Sequence, residues 1–159
     1  MKKRMFMLMA ALLAAVPLNV NAASTVTPQT STTQINASVN ATYTLTIPSA
    51  TTITFGQETT KLSGELKVTG NVENGQSVQV TVKADPLHND SQNTDISYQL
   101  LNGTNVFGGA IWSEDELRTG LTGNAKEIQL SVRIPKEQWD NAKAGLYEGA
   151  ITFTATLTR

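Results

Sequence analysis

The chain has no cysteine, so disulfides, thiol nucleophiles and cysteine-held metals are all excluded. His88 is the only histidine among 159 residues, which leaves a histidine-based relay one candidate and no second imidazole. Beyond residue 4, charge of one sign is not concentrated anywhere, and 12 Lys and Arg against 13 Asp and Glu give the chain a net charge of −1. That balance argues against nucleic acid or an anionic membrane surface as partner, since both demand a focused positive field. No serine lies in a Gly-x-Ser-x-Gly elbow, and no glycine-rich loop precedes a lysine as a phosphate cradle requires. Carboxylate pairs such as Glu114 and Glu116 sit on a short polar turn, where solvated charge is the simple explanation. These absences lead us to expect a non-enzyme without cofactor or metal.

What is present begins at the N-terminus. Met1-Lys2-Lys3-Arg4 is basic, Met5 to Val16 is apolar, and Val20 and Ala22 are the small residues before a cleavage point. That order makes residues 1–22 a secretory signal peptide. Its apolar run is shorter than the roughly 20 residues that span a bilayer. The expectation is an exported protein with no membrane span, located at the cell surface or outside the cell by way of the periplasm. Without a lipid-anchor cysteine, a hydrophobic tail or a sorting motif, retention at a surface would fall to another protein. Residues 23–34 are small and polar and form a flexible leader, since such a segment cannot bury enough apolar area to offset its ordering entropy.

At Ile35 the pattern changes. Ile35, Ala37, Val39, Ala41, Tyr43, Leu45 and Ile47 alternate with polar residues without a break until Pro48, the signature of a strand with one apolar face. Further alternations cover Thr52–Phe55, residues 65–72 with Gly70 as a bulge, and residues 76–84. Others cover Ile96 to Leu100, Ile128 to Ile134 and Tyr147 to Leu157. Asn74-Gly75 carries the strongest short hairpin signal, because both residues tolerate positive φ, and Asn102-Gly103 turns the chain after Leu100. Two connectors read as helical turns. Ser113 to Glu116 has capping-box spacing, and Pro135 opens a turn through Trp139 that Gly145 closes as a C-cap. Short strands at this spacing make residues 35–159 one all-β domain, a β-sandwich of about seven to eight strands with Ig-like or jelly-roll connections.

Two features invite a binding role. The polar stretch around His88 holds Asp85, Asp90 and Asp95, but its spacing matches no EF-hand loop, and a solvated turn accounts for it. Trp112 and Trp139 flank the helical turns. Exposed, they would be ligand-facing aromatics that stack on sugar rings; buried, they would plug the ends of the sandwich, which the flanking Ile111 and Leu117 favour.

The alternation from Ile35 to Ile47 is long. Extended, it would reach roughly 40 Å, against about 17–20 Å for a typical strand. Either it bends and pairs with both sheets, or it is one long strand, or its first half leaves the domain to fill a groove in a neighbour. In the third case Ile35, Ala37, Val39 and Ala41 have the spacing of a donated strand, whose backbone gives affinity and whose alternate side chains enter pockets.

The stretch Ile35-Asn36-Ala37-Ser38-Val39-Asn40 followed by Thr44-Leu45-Thr46-Ile47 resembles the start of cysteine-free fimbrial major subunits of the alternate chaperone–usher class. The closing run from Ala144 to Leu157, with its Ala-Gly-x-Tyr-x-Gly lead-in, resembles their last strand, and also that of other secreted Ig-like surface modules. The resemblance implies an Ig-like sandwich lacking one strand, completed by an N-terminal segment of the next subunit. Its partners would be other copies of itself, a periplasmic chaperone and an outer-membrane usher. The implied function is a structural fimbrial (pilus) subunit in cell adhesion. The alternative is a secreted adhesive or carbohydrate-binding β-sandwich module.

Overall fold

The computed structural model describes residues 31–159; the expected signal peptide and residues 23–30 of the leader lie outside the described residues. Alternation becomes strand wherever a partner edge receives it. In chain order the elements are β1 (Thr42–Thr46), β2 (Thr59–Lys61), β3 (Leu66–Asn71), β4 (Ser77–Ala84), β5 (Leu87–Asn89) and β6 (Thr94–Ile96). There follow β7 (Gln99–Asn102), β8 (Asn105–Val106), β9 (Gly109–Ser113) and α1 (Glu114–Leu121). The last are β10 (Glu127–Ile128), β11 (Leu130–Arg133), α2 (Lys136–Asp140) and β12 (Ile151–Thr158). The fold is all-β and sandwich-like. Seven of these strands have four or more residues; the other five are ladders of two or three.

All pairings are antiparallel, in the orders β1-β3-β10, β2-β11-β7-β8, β12-β4-β9 and β5-β6. The inward residues share one core: Leu66 and Val68 of β3, Val78 and Val80 of β4, and Leu130 and Val132 of β11. Trp112 lies at its centre, fully buried, with its indole N–H donated to the Lys126 carbonyl at 3.1 Å. α1 seats Leu117 in the same core, and its expected capping box is formed in both directions between Ser113 and Glu116. The compact unit runs over Ser38–Arg159.

Several sequence expectations need correction. The Asn74-Gly75 turn is made, with Gln76 N–H donating to Glu73 O, but it is no hairpin, because β3 and β4 belong to different sheets. A turn signal fixes the reversal and not the partner. By contrast Asn102-Gly103 does close a hairpin, pairing β7 with β8. Gly70 is not a bulge; it sits in unbroken register opposite Tyr43. Thr52–Phe55 forms no strand.

The stretch from Ile96 to Leu100 breaks after Ile96, where Ser97 N–H turns to the Gln138 side chain at 3.0 Å. The stretch from Ile128 to Ile134 breaks at Gln129, so that β10 pairs with β3 while β11 pairs with β2 and β7. The Gln129 side-chain amide donates to the Leu62 carbonyl at this crossover. Gly145 does not cap α2, whose C-cap is Asn141. Instead its φ of 150° and missing side chain allow a close approach by buried Asn89.

Candidate functional site

The long N-terminal alternation divides at Thr42. Residues 42–46 form β1, whereas residues 31–41 have no regular secondary structure and are exposed throughout. Ile35 is 89% exposed and Val39 79%; Ala37 and Ala41 are exposed as well. None of the four lies in a strand of this chain.

β12 lies at the edge of its sheet. It pairs with β4 along its whole length and with no other strand among the described residues. Ala150 O accepts from Asp85 N–H at 3.1 Å, and Glu148 exchanges both backbone bonds with His88. Residues 148 and 150 therefore face β4 and β5, and in an antiparallel ladder every second residue does the same. Gly149, Ile151, Phe153, Ala155 and Leu157 must point their N–H and C=O groups the other way, along an open edge. A sheet edge of this kind is a template for pairing with another chain.

The side chains on the same residues are apolar. Ile151, Phe153, Ala155 and Leu157 pack against the core but remain only partly buried, unlike the inward residues of β3 and β4. Beside them runs the segment that follows β1, from Ile47 to Ile53. Between this segment and the residues 149–153 lies a cavity of about 310 Å³, floored by Leu62, Leu87, Tyr98 and Val132. Burial, and then the nearby Asp85 carboxylate, push the Tyr98 phenol above its ordinary value of 10.0. The groove continues past Gly149 into a second cavity of about 790 Å³ bordered by Phe55, Trp139, Leu146 and Tyr147. Phe55 and Leu146 are exposed apolar side chains at its rim.

Local chemistry shapes both walls. The Pro86-Leu87 step interrupts the ladder, so the register shifts by one residue between the Asp85–Ala150 and His88–Glu148 pairs. Gly149 leaves the space that the Leu87 side chain approaches, since a Cβ there would lie 3.0 Å from Leu87 Cδ2. The Tyr147 hydroxyl meets the Thr94 hydroxyl at 3.0 Å and accepts from Lys143 N–H at 3.1 Å, which ties down the 142–149 stretch.

The two indoles are not surface platforms. Trp112 is fully buried, and Trp139 is nearly so, donating to the Gln57 carbonyl at 3.1 Å with its ring edge against Phe55. The polar stretch around His88 is the β5–β6 hairpin, where His88 Nδ1 lies 2.6 Å from Asp95 Oδ1 and Asn89 Oδ1 accepts two turn amides. Asp85 is instead engaged by Lys83 at 2.8 Å.

Sequence reasoning missed the groove itself. The signal was available in the closing alternation, but whether an alternating strand has one neighbour or two cannot be read from its own residues. No protein-family model, curated protein or solved structure matches this chain. Among the described residues, no helix is long and apolar enough to cross a membrane.

Proposed function

We propose that this protein is an exported structural subunit of a bacterial surface fibre, a fimbria or pilus serving adhesion, which polymerises by strand donation. The observation that carries the reading is the open edge of β12 above a half-filled apolar groove. In the same chain, residues 35–41 are apolar at every second position and have no sheet of their own. Backbone pairing along the edge supplies affinity, and alternate side chains entering the groove supply specificity.

The geometry favours a neighbour as acceptor. Tyr43 lies beside Ala155, and the chain then runs toward Ile47–Ile53 beside residues 149–153, so β1 is antiparallel to β12. The donor segment therefore enters β1 at the Leu157 end of the groove. To fold back into its own groove it would need a turn between residue 41 and β1, and β1 starts at Thr42 with no residue to spare. Donation from the Leu157 end of one copy into a groove whose wide mouth is at the other end is a head-to-tail contact. Contacts of that kind build open filaments unless the rotation closes a ring. The resemblance to alternate chaperone–usher pilins adds a periplasmic chaperone and an outer-membrane usher as partners, and an Ig-like assignment for the sandwich.

The alternative, a secreted adhesive or carbohydrate-binding module, drew on Trp112 and Trp139; Trp112 is fully buried, and Trp139 borders the wider cavity beside exposed Phe55. The test is an unboiled denaturing gel of the purified protein. Multimers that resist SDS, and that vanish on deletion of residues 23–40, are expected. A native chain that runs only as monomer, or a multimer ladder that persists after that deletion, would overturn the proposal.

A further inference from the structure

One side chain bridges the groove. Tyr43 on β1 donates its hydroxyl to the Ala155 carbonyl of β12 at 3.2 Å. Ala155 belongs to the set whose backbone faces the open edge, so this carbonyl is one that an added strand would use. Gly70, opposite Tyr43 on β3, lets the β1 backbone lie close against β3. A Cβ at Gly70 would lie 2.8 Å from the Tyr43 Cα and Cβ, and its φ lies outside the left-handed region, so glycine is needed there for space.

Resting on the fibre-subunit reading, we propose that Tyr43 is a latch that determines how far an incoming strand seats. While the bond to Ala155 holds, an added strand can pair beside Gly149, Ile151 and Phe153 and must stop short of Ala155. Complete seating requires the ring to swing out and yield the carbonyl to the donor. Tyr43 is 38% exposed, so the released hydroxyl finds water at once. The latch is thus strong enough to shield the far end of an empty groove and weak enough to open when a matching strand arrives.

The probe is a synthetic peptide with the sequence of residues 33–42, dye-labelled at its N-terminus and titrated by fluorescence anisotropy into the monomer fraction of the full chain, whose groove is empty. Tyr43→Phe keeps the ring and removes only the hydroxyl. The variant should bind the peptide about two- to ten-fold more tightly, the equivalent of one net hydrogen bond that binding no longer breaks. Equal or weaker binding by Tyr43→Phe would overturn the latch and leave strand acceptance standing. Failure of the peptide to bind either protein would overturn the strand-acceptor reading and the latch together.

Discussion

Replacing Ile35 by aspartate separates a strand that serves its own domain from one that serves a neighbour. In the isolated protein Ile35 is 89% exposed and belongs to no strand, so Ile35→Asp should leave the melting temperature essentially unchanged. Exposed substitutions away from caps and networks stay within about 0.5 kcal/mol. In the fibre the same side chain would lie in an apolar groove. Burying an isoleucine contributes about 1.5–3 kcal/mol, so its loss alone weakens each junction about ten- to hundred-fold. A carboxylate forced into the groove without a partner adds a desolvation penalty on top. Sedimentation velocity and an unboiled denaturing gel, run with a thermal melt of the monomer fraction, would read both effects. The expected result is an unaltered melt with the multimer ladder gone. A variant that multimerises like the native chain, or that melts well below it, would refute the reasoning.

Two further predictions concern the frame that holds the groove open. Trp112→Ala empties the centre of the core and orphans the Lys126 carbonyl, a loss of about 3–5 kcal/mol. Its melting temperature should fall by more than about 10 °C, and a near-native melt would contradict the central role given to this ring. Burial pushes the Glu116 carboxyl up, but the Lys126 ammonium and the Ser113 N–H outweigh it and hold it below its ordinary value. A depressed carboxylate contributes stability above its unfolded value and loses it as pH falls through the folded one. Urea midpoints should therefore drop more steeply below about pH 4.5 for the native chain than for Glu116→Gln, and parallel curves would contradict the assignment.

How much of this was legible in the sequence depends on the scale of the question. The alternations at 66–71, 77–84 and 151–158 became strands because apolar residues at alternate positions bury one face of an extended chain. The α1 cap was readable because Ser113 and Glu116 satisfy each other locally. Pairing was not readable: Asn74-Gly75 and Asn102-Gly103 carry the same turn chemistry, yet only the second joins two strands of one sheet.

Nor was the break at Gln129, where a polar side chain reaches the Leu62 carbonyl and lets neighbouring pairs serve different partners. The trace of residues 35–41 shows why an alternation is not yet a strand. Its side chains have the right period, but no edge among the described residues receives them. Gly70 and Gly145 were misread for a related reason. Each is small because a distant segment approaches it, Tyr43 in one case and Asn89 in the other, and sequence neighbours carry no trace of that.

Amide hydrogen exchange at the β12 edge is the most direct measurement. The N–H groups of Ile151, Phe153 and Leu157 face away from β4, so in monomer they should exchange far faster than those of Thr152, Thr154 and Thr156. In assembled multimer the first set should become as protected as the second. If those three amides exchange at the same rate in monomer and multimer, no strand has been added there.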